Sequence, residues 1–582
     1  MATIGVHERL QLGGMSLHRR AALGLLSLMA AGILGLDGPS RSAHAAPNRS
    51  TARDPRGSSG APLPRGVHQR ANGRYVRDLC GEASARLRCR TMQLLPEGWQ
   101  PGDSILDAEP PQPAPLSASI VAAAYHLPPT AQASGKIVAI IGAPDMHALA
   151  DLTMHRSLQG LPAMERCSGL PTGTGPACFA QVAQDGGPST NTSPVPAHDI
   201  ETSLDTQMVS IACPDCSILL VEIKPSFCER DLVEGVATAT RLGASAISIS
   251  LGGPEATDPN ALSVGLGGAT NGTSGCPAET RWPFDLPGPF STPGHLVFVS
   301  SADQGYNNEN RHFTPTVTGA APAYPASSPY VIAVGGTTLY ADGSSFGEGV
   351  WSATTSGCST EFAMPPWQAS LLSGSTCGGR ATADVSAAAT FISNGTEVGI
   401  EIVFHGQTTS VVGTSASAPL VAAMFTRLGL TTEVSNDLSW VYKNSAAFSD
   451  VGAAEYPLPP GASSSNTTSD ASCGILCTAG TGWDGPSGVG SPDGMKLAAL
   501  PVSTDAPQPY PDSGICGPYG RVGAGGAIEA CDDGGCACKV GGGRGRAPGS
   551  AWMVALSVLA LLGARHRRRG RTGTLHPSVD VR

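Results

Sequence analysis

The sequence predicts an α/β protein, and three observations support that prediction. The 582 residues include 74 glycines and 48 prolines, and only 14% are charged, a composition typical of a large, loop-rich α/β body with irregular flanks. Residues 297–299 form an apolar strand that leads into a turn ending at Asp303. Residues 198–209 carry apolar side chains at helical spacing. A chain of this length can hold two or more domains.

Charge and cysteine content restrict the class of protein. The formal net charge of −10 argues against a nucleic-acid partner. The 16 cysteines point to an oxidising compartment. Disulfides are predicted between cysteines that are close in sequence. The motif Cys213-Pro-Asp-Cys216 could also be a redox or zinc site, but a local disulfide is preferred because no second pair of ligands has zinc spacing. The other predicted pairs are Cys80–Cys89, Cys167–Cys178, Cys358–Cys377 and Cys473–Cys477.

The N-terminal part of the chain resembles an export signal followed by a linker. Arg19-Arg20 precede the apolar run 21–36, and Ala43-His-Ala45 offers a cleavage site, so residues 1–45 are predicted to be a signal peptide. The twin arginines hint at the Tat route. Residues 46–115 are rich in Pro, Arg and Gly with little periodicity and are expected to be a short, mostly irregular segment. The protein is therefore expected outside the cytoplasm, extracellular or on the cell envelope.

The C-terminal part has a similar linker and a short apolar run. Residues 501–549 are rich in Pro, Gly and Cys, and residues 550–582 hold the apolar run 551–564 and an arginine-rich cluster. An apolar run of this length is short for a membrane span, which needs about 20 residues. This arrangement resembles a myxobacterial-type C-terminal sorting tail, which implies attachment to the cell envelope. A weak single-pass anchor is the alternative.

The stretch Val412-Gly-Thr-Ser415-Ala-Ser-Ala-Pro419 is the most informative part of the sequence. It places a serine at a glycine-marked turn before an apolar run, 420–428, that is predicted to be helical. The first turn of a helix offers unpaired N–H groups and a positive dipole end, which suit a nucleophile for acyl transfer. A serine-rich helix cap is the alternative.

A serine nucleophile needs a base, and no His-Gly-Thr-His string is present. Glu201 and Asp205 lie four residues apart in the predicted helix 198–209 and therefore share a face. Two carboxyl groups in one site split their pKa values and can hold a proton between them. Taken alone, this pair indicates a solvated acidic face more often than a catalytic pair.

Asp303 follows the apolar strand 297–299. The carboxyl ends of parallel strands are where α/β folds build their sites. An Asx turn without a chemical role is the alternative.

These motifs, in this order, resemble the sedolisin family of serine-carboxyl peptidases over residues 116 to about 500. Further similar stretches are 116–128, 136–142, 212–222, 247–252, 328–337 and 380–387. The resemblance implies a subtilisin-like, doubly wound α/β domain with a mostly parallel central sheet flanked by helices. It also implies a peptidase that acts on polypeptides in acid. Endopeptidase action is preferred to exopeptidase action, because no feature of the sequence is suited to bind a substrate amino terminus.

The resemblance assigns a role to each candidate residue. Ser415 is the nucleophile, Glu201 the base, Asp205 its orienting partner, and a protonated Asp303 the oxyanion donor. Unperturbed carboxyl groups titrate near ~4, far below a histidine base. One structural calcium ion is also implied, at Asp450, Val451, Gly480, Gly482 and Asp484. A monomer is expected.

Some positions depart from the family pattern and keep alternatives open. Ala302 replaces a glycine before Asp303, which matters if the position needs a positive φ. Only about 70 residues separate the predicted signal from the domain, so a large folded pro-domain is not expected. The alternatives are an inactive surface-binding protein and a histidine-dependent hydrolase using a residue such as His198.

Overall fold

The computed structural model describes most of the central part of the chain. The described residues are 63–64, 66–70, 72–79, 88–89, 91–103, 115–129, 134–189, 192, 196–224, 229–255, 289–306, 322–373, 375–454, 456–467, 471–501, 521–522 and 528–529. By internal contacts the chain divides into Met1–Pro55 and Arg56–Arg582. Every described residue belongs to the second unit. The predicted signal peptide and the C-terminal tail 550–582 lie outside the described residues.

Strands and helices alternate through the middle of the chain. The strands are β1 Val67–Gln69, β2 Tyr75–Asp78, β3 Arg88–Cys89, β4 Met92–Leu94, β5 Ile137–Gly142, β6 Glu165–Arg166, β7 Cys178–Ala183, β8 Ser217–Glu222, β9 Ala246–Ile249, β10 Leu251–Pro254, β11 Leu296–Ser300, β12 Ala323–Tyr324, β13 Ile332–Asp342, β14 Ser345–Val350, β15 Gly357–Ala363, β16 Gly379–Thr382, β17 Val385–Ser393, β18 Thr396–Glu397, β19 Ile400–Phe404, β20 Gln407–Val412, β21 Phe448–Ser449, β22 Ser491–Pro492, β23 Arg521–Val522 and β24 Ile528–Glu529. The α-helices are α1 Ala118–Ala124, α2 Ala148–Leu158, α3 Pro196–Ala212, α4 Glu229–Arg241, α5 Pro366–Ala369, α6 Thr414–Arg427, α7 Thr431–Asn436, α8 Trp440–Lys443 and α9 Gly494–Ala498. Short 3₁₀ turns lie at Pro289–Ser291, Ser445–Ala447 and Ala471–Leu476.

The central sheet is mostly parallel. Its order is β18-β17-β13-β11-β9-β5-β8-β7-β6, and β14 pairs with β13. The pairs from β17 to β6 are parallel, while β14 and β18 are antiparallel to their neighbours. The chain enters the middle of the sheet at β5, adds β7 and β8 on one side, and continues through β9 and β11 on the other. This is a doubly wound arrangement, and it confirms the predicted α/β fold.

Alternate residues of the central strands face two separate hydrophobic layers. In β5, Val138 and Ile140 pack with α3 and α6, whereas Ile137, Ala139 and Ile141 pack with α4. A strand buried on both faces needs a continuous apolar run, which explains the uninterrupted Ile-Val-Ala-Ile-Ile sequence of β5. The helices α3 and α6 therefore lie side by side on one face of the sheet.

The N-terminal segment is more ordered than predicted. Residues 46–115 were expected to be mostly irregular, but β1, β2 and β4 form an antiparallel sheet with β20 and β19, in the order β1-β2-β4-β20-β19. In addition, β3 pairs with β10. The sequence did not indicate these strands, because each has at most four residues. Such strands are stabilised by distant partners, which a local pattern does not reveal.

Four of the predicted disulfides are confirmed. The bridges are Cys167–Cys178, Cys213–Cys216, Cys358–Cys377 and Cys473–Cys477. Cys80 lies outside the described residues, so its pairing with Cys89 stays a prediction. The Cys213–Cys216 bridge excludes the zinc interpretation of that motif, because both sulfurs are used.

The described residues include no helix that is both long enough and apolar enough to cross a membrane. The apolar run 551–564 lies outside the described residues.

Candidate active site

Ser415 lies where β20 meets α6. The strand ends at Val412 and the helix begins at Thr414, so Ser415 is in the first turn, as predicted. Its side chain is fully buried, and its hydroxyl makes no hydrogen bond within the described part of the chain. Pro419 is inside the helix and has no N–H to donate to the carbonyl of Ser415. The hydroxyl of Ser250 lies 3.4 Å from that carbonyl oxygen instead.

Glu201 and Asp205 lie on α3, which covers residues 196–212 and so contains the predicted helix. Both are 1% exposed. Burial raises the pKa of the Asp205 carboxyl well above its ordinary value, and the nearby Glu201 raises it further. The pair is therefore a buried, interacting pair, and the alternative of a solvated acidic face is wrong.

Ser250 connects Asp205 to the backbone of Ser415. Its hydroxyl lies 2.8 Å from Asp205 Oδ1 as well as near the Ser415 carbonyl oxygen. A hydroxyl has one proton and cannot donate to both acceptors at once. A protonated Asp205, which the raised pKa favours, can donate to Ser250 while Ser250 donates to Ser415.

Thr91 is a site residue that sequence reasoning missed. It immediately precedes β4, and its hydroxyl donates to Glu201 Oε2 at 2.7 Å. Thr91 is 2% exposed. No sequence signal could have found it, because Thr91 lies in a segment without periodicity and 110 positions before Glu201.

Asp303 follows β11 and contacts the residue beside Ser415. Its Oδ1 accepts hydrogen bonds from the backbone N–H of Thr414 at 2.9 Å and from the Thr414 hydroxyl at 2.8 Å. Ala302 has a φ of 88° and is fully buried, and its N–H donates to the Thr414 hydroxyl oxygen at 3.1 Å. The position therefore does need a positive φ, which alanine adopts only under strain.

The four predicted catalytic residues are thus brought into one buried network. Hydrogen bonds and close approaches run from Asp303 through Thr414 to the Ser415 backbone, and from there through Ser250 to Asp205. Asp205 interacts electrostatically with Glu201. Four different parts of the sequence meet here because the ends of β9 and β11 and the starts of α3 and α6 adjoin the same edge of the sheet.

The predicted calcium ligands lie in one loop region. The N–H of Gly480 donates to Asp484 Oδ2 at 3.1 Å, and the N–H of Gly482 donates to Asp450 Oδ2 at 2.6 Å. Val451 is the buried neighbour of Asp450. Burial raises the pKa of Asp484 to about 7, and Asp450 adds to that effect. The carboxylate oxygens of Asp450 and Asp484 are ligands of the kind that a hard divalent cation prefers. Ser487 donates its N–H and its hydroxyl to Asp484 Oδ1, at 2.9 and 2.7 Å.

His198 is also on α3 and is 1% exposed. Within the described residues, the Ser415 hydroxyl is hydrogen-bonded neither to His198 nor to Glu201. This observation therefore does not distinguish the two candidate bases.

Comparison with known proteins agrees with this geometry. A profile described as the subtilase family matches residues 191–441. The matched residues are less than half of the chain. It is 34% identical to sedolisin of Pseudomonas sp. (strain 101) over 218 residues, which are 35% of this chain and 35% of sedolisin. It is 27% identical to kumamolisin of Bacillus sp. (strain MN-32) over 406 residues, or 66% of this chain and 64% of kumamolisin.

Among solved structures, the chain is similar to Pseudomonas sedolisin complexed with two molecules of pseudo-iodotyrostatin. The TM-score is 0.45 at 24% identity, and the match covers 66% of this chain and 96% of that one. The chain spans about a third of the curated sedolisin and less than two thirds of kumamolisin.

Proposed function

We propose that this chain is a serine-carboxyl peptidase that hydrolyses polypeptides in acid. The observation that carries the proposal is the buried network that connects Asp205, Ser250, the Ser415 backbone, Thr414 and Asp303. Sequence similarity to sedolisin and kumamolisin supports the same reaction.

The reaction begins with attack of Ser415 Oγ on the scissile carbonyl carbon. Glu201 takes the hydroxyl proton and later delivers it to the leaving amine. Because Glu201 Oε2 accepts from Thr91, we assign the proton transfer to Oε1. Asp205 holds a proton at acidic pH, since burial and Glu201 raise its pKa. The protonated Asp205 thereby adds no second negative charge beside Glu201, and it orients the Glu201 carboxylate.

The tetrahedral intermediate carries a negative oxygen that needs a hydrogen-bond donor. Asp303 Oδ1 is occupied by two donors from Thr414. A proton on Asp303 is therefore assigned to Oδ2, and that O–H donates to the oxyanion. The step requires a neutral carboxylic acid, so activity is expected to decline once Asp303 ionises.

We further infer one structural calcium ion, held by Asp450 and Asp484 with the carbonyl oxygens of Val451, Gly480 and Gly482. When bound, the ion supplies positive charge between two carboxylates and connects the chain after β21 to the loop at 480–484. No catalytic step passes through it.

A polypeptide substrate has no direct access to the proposed site, because Ser415 is fully buried and Glu201 is 1% exposed. The N-terminal strands adjoin the site: β4 pairs with Val411 and Val412, just before the serine, and β3 pairs with β10, just after Ser250. A polypeptide can reach Ser415 only after part of this cover moves or is cleaved. Assays therefore need protein both before and after incubation in acid.

The proposed activity can be tested with two serines of the same helical turn. Ser417 is as buried as Ser415, but its hydroxyl donates to the Ala387 carbonyl at 2.9 Å. Ser415→Ala should lower kcat on a denatured protein substrate by a factor on the order of 10⁶, because the covalent route is lost. Ser417→Ala should stay within about tenfold of the wild type, since it loses one ordinary hydrogen bond of about 1 kcal/mol.

The assay covers pH 3 to 8, and mass spectrometry records the state of the N-terminus. Wild-type activity in acid that disappears in Ser415→Ala supports the proposal. A folded Ser415→Ala protein that still hydrolyses the substrate would refute the assignment of the nucleophile. A fully inactive wild type, both before and after acid incubation, would favour a binding protein.

A further inference from the structure

A second group of titratable side chains lies outside the proposed active site. Asp145, His147 and His405 each offer one ligand atom, and these atoms all lie within 4.8 Å of one another. Asp145 follows β5 and is fully buried, while the side chains of His147 and His405 are 41% and 39% exposed. The group therefore combines a buried carboxylate with two imidazoles that solvent can reach.

Buried carboxylates hold the backbone N–H groups of both histidines. Asp145 Oδ1 accepts from the N–H of His147 at 2.8 Å. His405 lies in the turn between β19 and β20 with a φ of 50°, and its N–H donates to Asp151 Oδ2 at 2.8 Å. The two imidazole rings are 4.3 Å apart between centroids. The three side chains are therefore held near one another.

Asp199 supports the group from the first turn of α3. Its side chain is fully buried, and its Oδ2 lies 3.2 Å from His405 Nε2. A carboxylate bonded to one ring nitrogen of a histidine is the usual way to orient a histidine ligand to zinc. Asp199 Oδ1 and His147 Nδ1 are buried atoms without a hydrogen-bond partner among the described residues. Each of these two atoms has a lone pair that a metal ion could bind.

Acidic side chains gather at this position without a compensating lysine or arginine. Asp145 and Asp199 are both fully buried, and Asp151, which accepts from the N–H of His405, is 2% exposed. Within the described residues, neither Asp145 nor Asp199 has an ion pair with a lysine or arginine. A divalent cation would supply the missing positive charge.

We propose that Asp145, His147 and His405 form a binding site for a divalent transition metal of the zinc class. Two imidazoles and one carboxylate favour zinc, cobalt or nickel over calcium or magnesium, which prefer oxygen ligands alone. Ligand atoms of a tetrahedral zinc ion lie roughly 3.3 Å apart, and His147 Nδ1 is 3.9 Å from Asp145 Oδ1. The three ligand atoms lie within 4.8 Å of one another, so they would move together by up to about 1.5 Å to bind the ion, with water or Asp199 Oδ1 as the fourth ligand.

The site would connect three elements that support the proposed active site. Asp145 and His147 belong to the connection between β5 and α2, and His405 belongs to the hairpin whose second strand leads to Ser415. Asp199, which orients His405, lies two residues before Glu201. The metal site is independent of the proposed peptidase activity, and its test does not depend on catalysis.

Zinc binding is measured on the full-length Ser415→Ala protein, which cannot digest itself by the proposed route. Zinc is titrated at pH 7.5 in competition with a coloured chelator, with millimolar calcium present to occupy oxygen-only sites. The variants are His147→Ala and His405→Asn, and asparagine is chosen because it tolerates the left-handed backbone of residue 405. The matched control is His126→Asn: His126 has the same left-handed backbone, with a φ of 48°, and its Nδ1 lies 3.2 Å from Asp493 Oδ2, but among the described residues it belongs to no metal-ligand cluster.

The expected result is saturable binding of one zinc per chain. His147→Ala and His405→Asn should each weaken it at least tenfold, and His126→Asn should leave it unchanged. Asp199→Asn should weaken it about 10- to 100-fold, as is usual for a residue that orients a ligand. Cobalt bound to the parent protein should give the visible bands of a four-coordinate nitrogen and oxygen site.

The absence of saturable zinc binding would overturn the proposal. Equal binding by the two cluster variants and the control would do so as well. Melting curves without metal identify a variant that fails to fold. In that case the cobalt spectrum of the parent protein decides, and a six-coordinate spectrum contradicts the site.

Discussion

Two neighbouring residues around the proposed oxyanion site have unusual local environments. Asp303 is held by two hydrogen bonds from Thr414, and Ala302 has a φ of 88° that favours glycine. A non-glycine residue in such a conformation costs of order 1–3 kcal/mol. The surrounding contacts, including the Ala302 N–H to Thr414, maintain this strained turn.

Relief of that strain gives a stability prediction. Ala302→Gly should raise the free energy of unfolding by about 1 kcal/mol, because the strain exceeds the added flexibility of the unfolded chain. Ala387→Gly is the control: Ala387 is equally buried in β17, a regular strand, and should lose about 1 kcal/mol. Urea unfolding of the Ser415→Ala background measures both. A loss of stability in Ala302→Gly would contradict the strain.

The candidate residues show how much of the site the sequence could predict. Ser415 and Asp303 follow glycine-marked or strand-end turns, and the spacing of Glu201 and Asp205 is one helical turn, so each had a local signal. Thr91 and Ser250 had none. Their roles depend on contacts between residues that are 110 and 45 positions apart, and such contacts arise only from the tertiary structure.

The N-terminal strands are the element on which sequence and structure differ most. Arg70 Nη1 lies 2.6 Å from Glu397 Oε1, with both side chains 6% exposed, and Asn72 donates to the other oxygen at 2.9 Å. Burial alone would raise the pKa of Glu397, but Arg70 outweighs it and the pKa is lowered. This ion pair attaches the segment 67–78 to β18, and nothing in the composition of residues 46–115 could indicate it.

Breaking this pair should be costly. Glu397→Gln leaves the guanidinium of Arg70 buried without its charge partner and should lower the free energy of unfolding by about 3–5 kcal/mol. Asp437→Asn is the control: it removes an exposed pair with Lys443, in which the side chains are 48% and 65% exposed, and should cost less than about 1 kcal/mol. Denaturant unfolding at pH 7 compares them.

The sign of the pH effect follows from the lowered pKa of Glu397. The stabilisation is fully present above the unfolded pKa of a glutamate and is lost as the pH falls through the lower folded value. The difference between wild type and Glu397→Gln should therefore shrink in strong acid. A constant difference from pH 2 to pH 7, or equal costs in Glu397→Gln and Asp437→Asn, would contradict this account.

At the scale of the whole molecule, the doubly wound sheet determines where chemistry can occur. The ends of β5, β9 and β11 lie at one edge, and they precede Asp145, Ser250 and Asp303 respectively. The general architecture was predictable because the buried parallel strands have continuous apolar sequences. The sheet that β19 and β20 form with the N-terminal strands β1, β2 and β4 was not predictable. Which residues pair in it depends on partner strands that are distant in the sequence.

Calcium is expected to stabilise the whole domain. A ligand that binds only the folded state adds RT ln(1 + [L]/Kd) to the free energy of unfolding, or about 2.7 kcal/mol at 100 times Kd. A strong chelator should therefore lower the Tm of the wild type. Asp484→Asn should have a lower Tm that no longer responds to calcium or chelator. Asp437→Asn should respond like the wild type, since Asp437 is in an exposed pair elsewhere. Identical wild-type melting curves with and without chelator would refute the calcium site.

The central claim is that carboxyl groups, rather than a histidine, support Ser415, and the pH dependence of kcat/KM on one peptide tests it most directly. The wild type, Asp303→Asn and Asp303→Ala are compared from pH 3 to 8. The wild type should be most active in acid and lose activity as Asp303 ionises. Asp303→Asn can still accept from Thr414 through its amide oxygen and can donate at every pH through its amide nitrogen. The Asp303→Asn variant should keep activity, and its kcat/KM should remain high to a pH closer to neutral than that of the wild type. Asp303→Ala should lose about 10²–10³ in kcat at every pH. A wild-type maximum at pH 7 to 8, or an alanine variant as active as the wild type, would contradict the serine-carboxyl mechanism.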